Sequence, residues 1–147
     1  MLVIIFFGFV PVGGTYYVQA LTWTPDVTIA SIICGLLIDT LLVVNNYRDR
    51  EADARSGKRT VIVHFGEKFG RYFYLALGIT ASLLCLRFLS EGHFYAGLLP
   101  QLYLIPHFLT WKRMVKIYSG KKLNSILGET SRNMLFMGIL LAIGMIL

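Results

Sequence analysis

The sequence predicts an all-α fold: a polytopic bundle of transmembrane helices forming a single domain over residues 1–147. Three observations predict it. Hydrophobic residues make up 56% of the chain and charged residues only 15%, whereas a soluble domain carries about a quarter charged residues. The mean hydropathy is +0.65, so the chain cannot cover its own surface with polar groups. The apolar residues also fall into blocks near the length of about 20 residues that a helix needs to cross a hydrocarbon core, and five such blocks fill most of the chain.

The first block, residues 2–24, is too long and too rich in glycine for a cleaved signal peptide. Its Pro11, with Gly8, Gly13 and Gly14, predicts a kink or a close helix contact. The second block, residues 27–46, carries Asp39 about two turns inside. A carboxylate at that depth is costly and marks a polar cavity or a structural hydrogen bond to a neighbouring helix. The third block is residues 72–90, with Arg87 placed to snorkel from its outer end. The fourth, residues 94–111, should bend at Pro100 and Pro106. His107 on that helix either lines a cavity or satisfies a backbone group. The fifth block, residues 133–147, is short.

Orientation follows from the basic residues. Of the fourteen Lys and Arg, seven lie in residues 47–71 and six in residues 112–132. The positive-inside rule puts both segments in the cytoplasm as loops. Trp23, Phe94 and Tyr95 at one interface and Tyr72, Tyr74 and Trp111 at the other fit the aromatic belts expected there. The net charge of +6 is explained by anionic lipid headgroups, and no nucleic-acid motif accompanies it. Cys34 and Cys85 lie inside spans without metal-ligand spacing and read as small buried residues.

The chemistry concentrates where the second span ends. No Pro or Gly interrupts the run from Asp39 until Gly57, which predicts a helix continuing past the bilayer edge. At roughly 100° per residue, Asp39, Asn45, Asn46, Asp49 and Asp53 share one face of about 120°. Two carboxylates four residues apart repel unless a cation lies between them or Arg side chains neutralise them. Their hard oxygens suit Mg²⁺, which is commonly completed by substrate phosphates. Gly57, Lys58, Arg59 and Thr60 follow with a flexible backbone, two cations and a hydroxyl, the donors a diphosphate needs. The plainer alternative is a solvated face held by ion pairs such as Glu51 with Arg55.

The run from Asn45 to Thr60, Asn-Asn-Tyr-Arg-Asp-Arg-Glu-Ala-Asp-Ala-Arg-Ser-Gly-Lys-Arg-Thr, closely resembles the second aspartate-rich motif of the UbiA-type intramembrane prenyltransferases. Within them it is most similar to the branch that prenylates 1,4-dihydroxy-2-naphthoate in menaquinone biosynthesis. The segment Leu123 to Thr130 is similar to the stretch before that branch's last helix. The resemblance implies a fold of nine helices in a bacterial cell membrane, with two facing aspartate-rich motifs holding Mg²⁺ against a polyprenyl diphosphate. Asp49 and Asp53 match the metal-binding, catalytic carboxylates, and Asn45, Asn46, Arg48, Lys58 and Arg59 are the candidate diphosphate-binding residues. The first aspartate-rich motif has no counterpart here, so the five spans correspond to the C-terminal half or slightly more. The expectation is therefore a partial chain, complemented by an N-terminal part that carries the other motif. Two other readings stay open: another aromatic acceptor such as 4-hydroxybenzoate or homogentisate, and a non-catalytic half-bundle that binds lipid or a partner.

Overall fold

The computed structural model describes residues 2–147. It contains five helical rods: α1 (Leu2–Ala20), α2 (Pro25–Arg55), α3 (Val61–Glu91), α4 (residues 94–117) and α5 (Lys121–Ile146). No strand occurs among the described residues. Helices α1, α2, α3 and α5 are long and apolar enough to cross a membrane.

Local chemistry sets each boundary. At the start of α2 the Thr24 hydroxyl accepts from the Val27 amide at 3.3 Å, and Pro25 occupies the first turn, where its missing N–H costs nothing. The helix then runs unbroken to Arg55 and stops against Gly57, which takes φ +75°. Thr60 caps α3 by accepting from the Val63 amide at 3.2 Å. The rod bends at once at Gly66, whose φ of +85° a side chain would disfavour. The segments expected as long loops, residues 47–71 and 112–132, are thus mostly helix. The connections shrink to residues 56–60 and 118–120 because the flanks hold good helix formers and few breakers.

The two expected bends take different forms. Around Pro11, residues Ile5–Gly13 of α1 are wound as a π-helix, which relieves the clash of the ring with the preceding turn. In α4 the winding changes from α to 3-10 over Leu99–Tyr103, with Pro100 in its first turn, and returns to α over Leu104–Ile117. With Pro100, Gln101, Pro106 and His107 inside it, α4 is not among the four long apolar helices, although its residues were read as a span.

Small residues bring the rods together. A methyl group at Gly8 would overlap the backbone of Ser31, and one at Gly35 would overlap the backbone of Ile4, so α1 lies close against α2. Gly144 of α5 meets the Ala96 backbone in the same way. The interior also contains polar ties. His107 is 1% exposed, meets the Tyr103 hydroxyl at 2.9 Å through Nδ1 and lies 3.3 Å from the Leu75 carbonyl of α3 through Nε2. It therefore satisfies a backbone group, but one on a neighbouring helix. The Tyr74 and Thr130 hydroxyls pair at 3.1 Å, and Asn133 Nδ2 donates to Thr110 at 2.9 Å.

Candidate active site: a carboxylate and arginine cleft at the end of α2

Helix α2 has 31 residues, which at about 1.5 Å each outruns a hydrocarbon core of about 30 Å. Its last turns, from Tyr47 onward, project beyond the apolar stretch and carry the charged residues. The fully buried Tyr47 ring anchors this end among α2, α3 and α4. Arg71 Nε donates to the Tyr47 hydroxyl at 2.9 Å, and the Arg50 guanidinium lies 4.6 Å from the ring centroid. With that side of α2 packed, Asn45, Arg48 and Asp49 are left partly exposed on another.

Arg48 is the centre of the arrangement. Its Nε donates to Asp49 Oδ1 at 2.7 Å and its Nη2 to Asp49 Oδ2 at 2.6 Å, a two-pronged pair. Nη2 also donates to Asn45 Oδ1 at 2.7 Å, and Nη1 reaches Asn124 Oδ1 on α5 at 2.9 Å. Arg48 holds the Asp49 carboxyl below the usual carboxylate range by this hydrogen bonding, so the carboxylate stays ionised. Asp53 points elsewhere. It is 9% exposed, and Lys58 Nζ lies 3.3 Å from its Oδ1. Each carboxylate therefore has its own cation, the second of the two ways in which such a pair can coexist.

Beside Asp49 lies a cleft of about 690 Å³, walled by Arg48, Glu51, Ala52 and Arg55 of α2 and by Ser119, Gly120, Lys121 and Asn124. An apolar groove leads away from Asn45 between α1, α2 and α5, in two parts of about 530 and 600 Å³ that share Ile38 and Ser131. The structure thus brings Asn45, Arg48 and Asp49 together and sets Asp53 with Lys58. It leaves Arg59 exposed, and neither Arg59 nor Asn46 lines the cleft. Glu51 pairs with its neighbour Arg50 at 3.9 Å, not with the expected Arg55.

Asp49 presents hard carboxylate oxygens to the cleft, a donor chemistry that fits Mg²⁺ completed by phosphate oxygens and water. Among the described residues no three His, Cys, Asp or Glu side chains converge, so a metal held here would rely on ligands from outside this set.

The model of the UbiA prenyltransferase family matches residues 1–140 of the 147. The chain belongs to the UbiA prenyltransferase family. This UbiA-family chain is 32% identical to 1,4-dihydroxy-2-naphthoate octaprenyltransferase of Haemophilus influenzae, over 99% of the chain and 47% of that protein. It is 39% identical to the enzyme of the same name from Escherichia coli, over 57% of the chain and 27% of that protein. UbiA prenyltransferase domain-containing protein 1 of Dictyostelium discoideum is 29% identical over 92% of the chain and 38% of that protein. The chain spans about half the length of the Haemophilus relative, and less of the others. No solved structure matches it.

Sequence reasoning did not find Asn124 or Lys121 as cleft residues. Both lie in or beside the segment singled out for its resemblance, Leu123 to Thr130, but nothing in their spacing reveals contact with Arg48 across 76 positions.

Proposed function

We propose that this chain forms the diphosphate-binding part of a prenyltransferase that moves a polyprenyl group from its diphosphate to an aromatic acid, 1,4-dihydroxy-2-naphthoate. The observation that carries this is the Arg48 cluster: an ionised Asp49, oriented by a forked guanidinium, facing a cleft that opens beside an apolar groove. The names of the Haemophilus and Escherichia relatives support the choice of acceptor.

Asp49 would hold Mg²⁺, joined by Asp53 once it turns away from Lys58, and the metal would supply positive charge to the leaving diphosphate. Arg48, released in part from Asp49, would add donors to the same oxygens. The allylic C–O bond then ionises, with the electron pair leaving on the diphosphate. A ring carbon of the acceptor attacks the allylic cation, and the acceptor's carboxyl departs as carbon dioxide. The apolar groove beside Asn45 holds the isoprenoid chain and excludes the water that would otherwise capture the cation. In this proposal the basic end of the bundle faces the cytoplasm of a bacterial cell, and a further segment supplies the facing aspartate-rich motif.

The test is prenyl transfer in membranes from a parent protein that contains this chain, with octaprenyl diphosphate and 1,4-dihydroxy-2-naphthoate, in Mg²⁺ and in EDTA. Asp49→Asn should abolish product, and 4-hydroxybenzoate offered in competition should not be prenylated. Full product from Asp49→Asn would sink the role given to that carboxylate, and product from 4-hydroxybenzoate alone would change the acceptor. Binding of lipid with no transfer under any condition would favour the non-catalytic reading.

A further inference from the structure

We propose that the turn between α4 and α5 is the second cationic wall of the cleft, with Lys121 contacting the substrate's diphosphate opposite Asp49. This rests on the diphosphate reading given above and sets opposite Arg48 a cation that the motif did not suggest.

The two cations that follow the motif's glycine are badly placed. Lys58 is engaged with Asp53, Arg59 is exposed, and neither lines the cleft. Lys121 does line it, is exposed, and forms no ion pair among the described residues. Asn124, three residues on, accepts from Arg48 at 2.9 Å. Residues three apart in a 3-10 turn lie nearly one above the other, and Lys121–Leu123 is wound in that way. The Asn124 contact therefore puts Lys121 on the same side of α5, one turn further out.

The turn is also fixed in place. Tyr118 adopts φ +66°, a region unfavourable for a bulky side chain, and Gly120 adopts φ +83°. The Tyr118 ring is held by the guanidiniums of Arg50 and Arg71, at 5.0 and 5.3 Å from its centroid. This anchoring shapes a connection of three residues so that Ser119, Gly120 and Lys121 face Asp49.

Charge supports the same ligand. The cations of the cleft are Arg48, Arg55 and Lys121, and its carboxylates are Asp49 and Glu51, leaving one excess positive charge. With one Mg²⁺ the walls would carry about +3, balancing the charge of about −3 on an ionised diphosphate monoester.

The experiment is equilibrium binding of inorganic diphosphate, with Mg²⁺, to the whole chain in phosphatidylcholine nanodiscs. Lys121→Met should weaken binding about tenfold, Lys121→Arg should restore most of it, and Lys122→Ala, at a position outside the cleft, should bind as the parent does. Equal losses from Lys121→Met and Lys122→Ala would mean diffuse electrostatics and overturn the proposal. So would unchanged binding by Lys121→Met, or a parent chain that binds no diphosphate. The transfer assay separates the two ideas. Lys121-dependent binding without any prenylated product leaves this wall standing and removes the transferase reading. Product formation undiminished by Lys121→Met does the reverse.

Discussion

Replacing Arg48 with lysine keeps the positive charge and removes the fork. The arginine makes four hydrogen bonds of 2.6–2.9 Å, two to Asp49 and one each to Asn45 and Asn124. A lysine can hold Asp49 as a point charge but cannot span both asparagines. Two contacts are lost, each worth about 1 kcal/mol when sheltered. The side chains of Arg48 and Asp49 are 25% and 37% exposed, and solvent screening roughly halves such values, giving about 1 kcal/mol in all. Reversible unfolding of the purified chain in mixed micelles, titrated with SDS, reads this difference. The pH dependence has a definite sign. Because Arg48 depresses the Asp49 pKa in the folded state, the stabilisation is fully present above the ordinary carboxylate pKa and is lost as pH falls through the depressed value. Arg48→Gln, which also removes the charge, should therefore be less stable than the parent at neutral pH and should approach it in acid. A parent and an Arg48→Lys chain that unfold alike at neutral pH would refute the view that this fork ties α5 to α2.

Other substitutions probe the scaffold. Gly78→Ala puts a methyl group into the His107 ring, so it should displace His107 from Tyr103 and Leu75 and destabilise the chain by about 1–3 kcal/mol in the same titration; an unaffected chain would contradict the packing of α3 on α4. Tyr47→Phe removes the acceptor of Arg71 Nε and should cost about 1–2 kcal/mol while leaving the ring packing intact; a change of under a few tenths would mean that Arg71 is already satisfied by Glu67. Tyr118→Gly relieves a positive φ but removes the ring between Arg50 and Arg71. Trypsin should then cut after Lys121 and Lys122 faster than in the parent, and an unchanged cleavage rate would show that stacking does not hold the turn.

The long α2 was legible because one physical rule decides it: a run without Pro or Gly continues as helix until Gly57 ends it. The change of winding in α4 was legible in kind from Pro100, although the 3-10 form depends on packing against α3 and α5. Helical spacing put Asn45, Asp49 and Asp53 on one face, and in the structure Asn45 and Asp49 share Arg48 while Asp53 turns to Lys58. What spacing could not decide was how their charge is balanced, because Arg48 is adjacent in sequence to Asp49 and Lys58 folds back across the end of the helix to reach Asp53. The far wall was not legible at all. Asn124 meets Arg48 only through the packing of α5 on α2, and a tertiary contact of that kind leaves no periodic trace. Gly66 was passed over for a similar reason: a glycine in a helical pattern signals a bend only when its φ is known.

The unbroken course of α2 ties the chemistry to the dimensions of the membrane. From Pro25 at one end, Asp49 stands about 36 Å along the rod, with no hinge between them to absorb a change in bilayer thickness. A helix of fixed length answers a thinner or thicker bilayer by tilting, and its tilt sets how high Asp49 rides above the acyl chains. Lipids with longer or shorter tails should therefore act as a ruler on this protein, raising or lowering the carboxylate relative to a diphosphate whose own height is fixed by the headgroups.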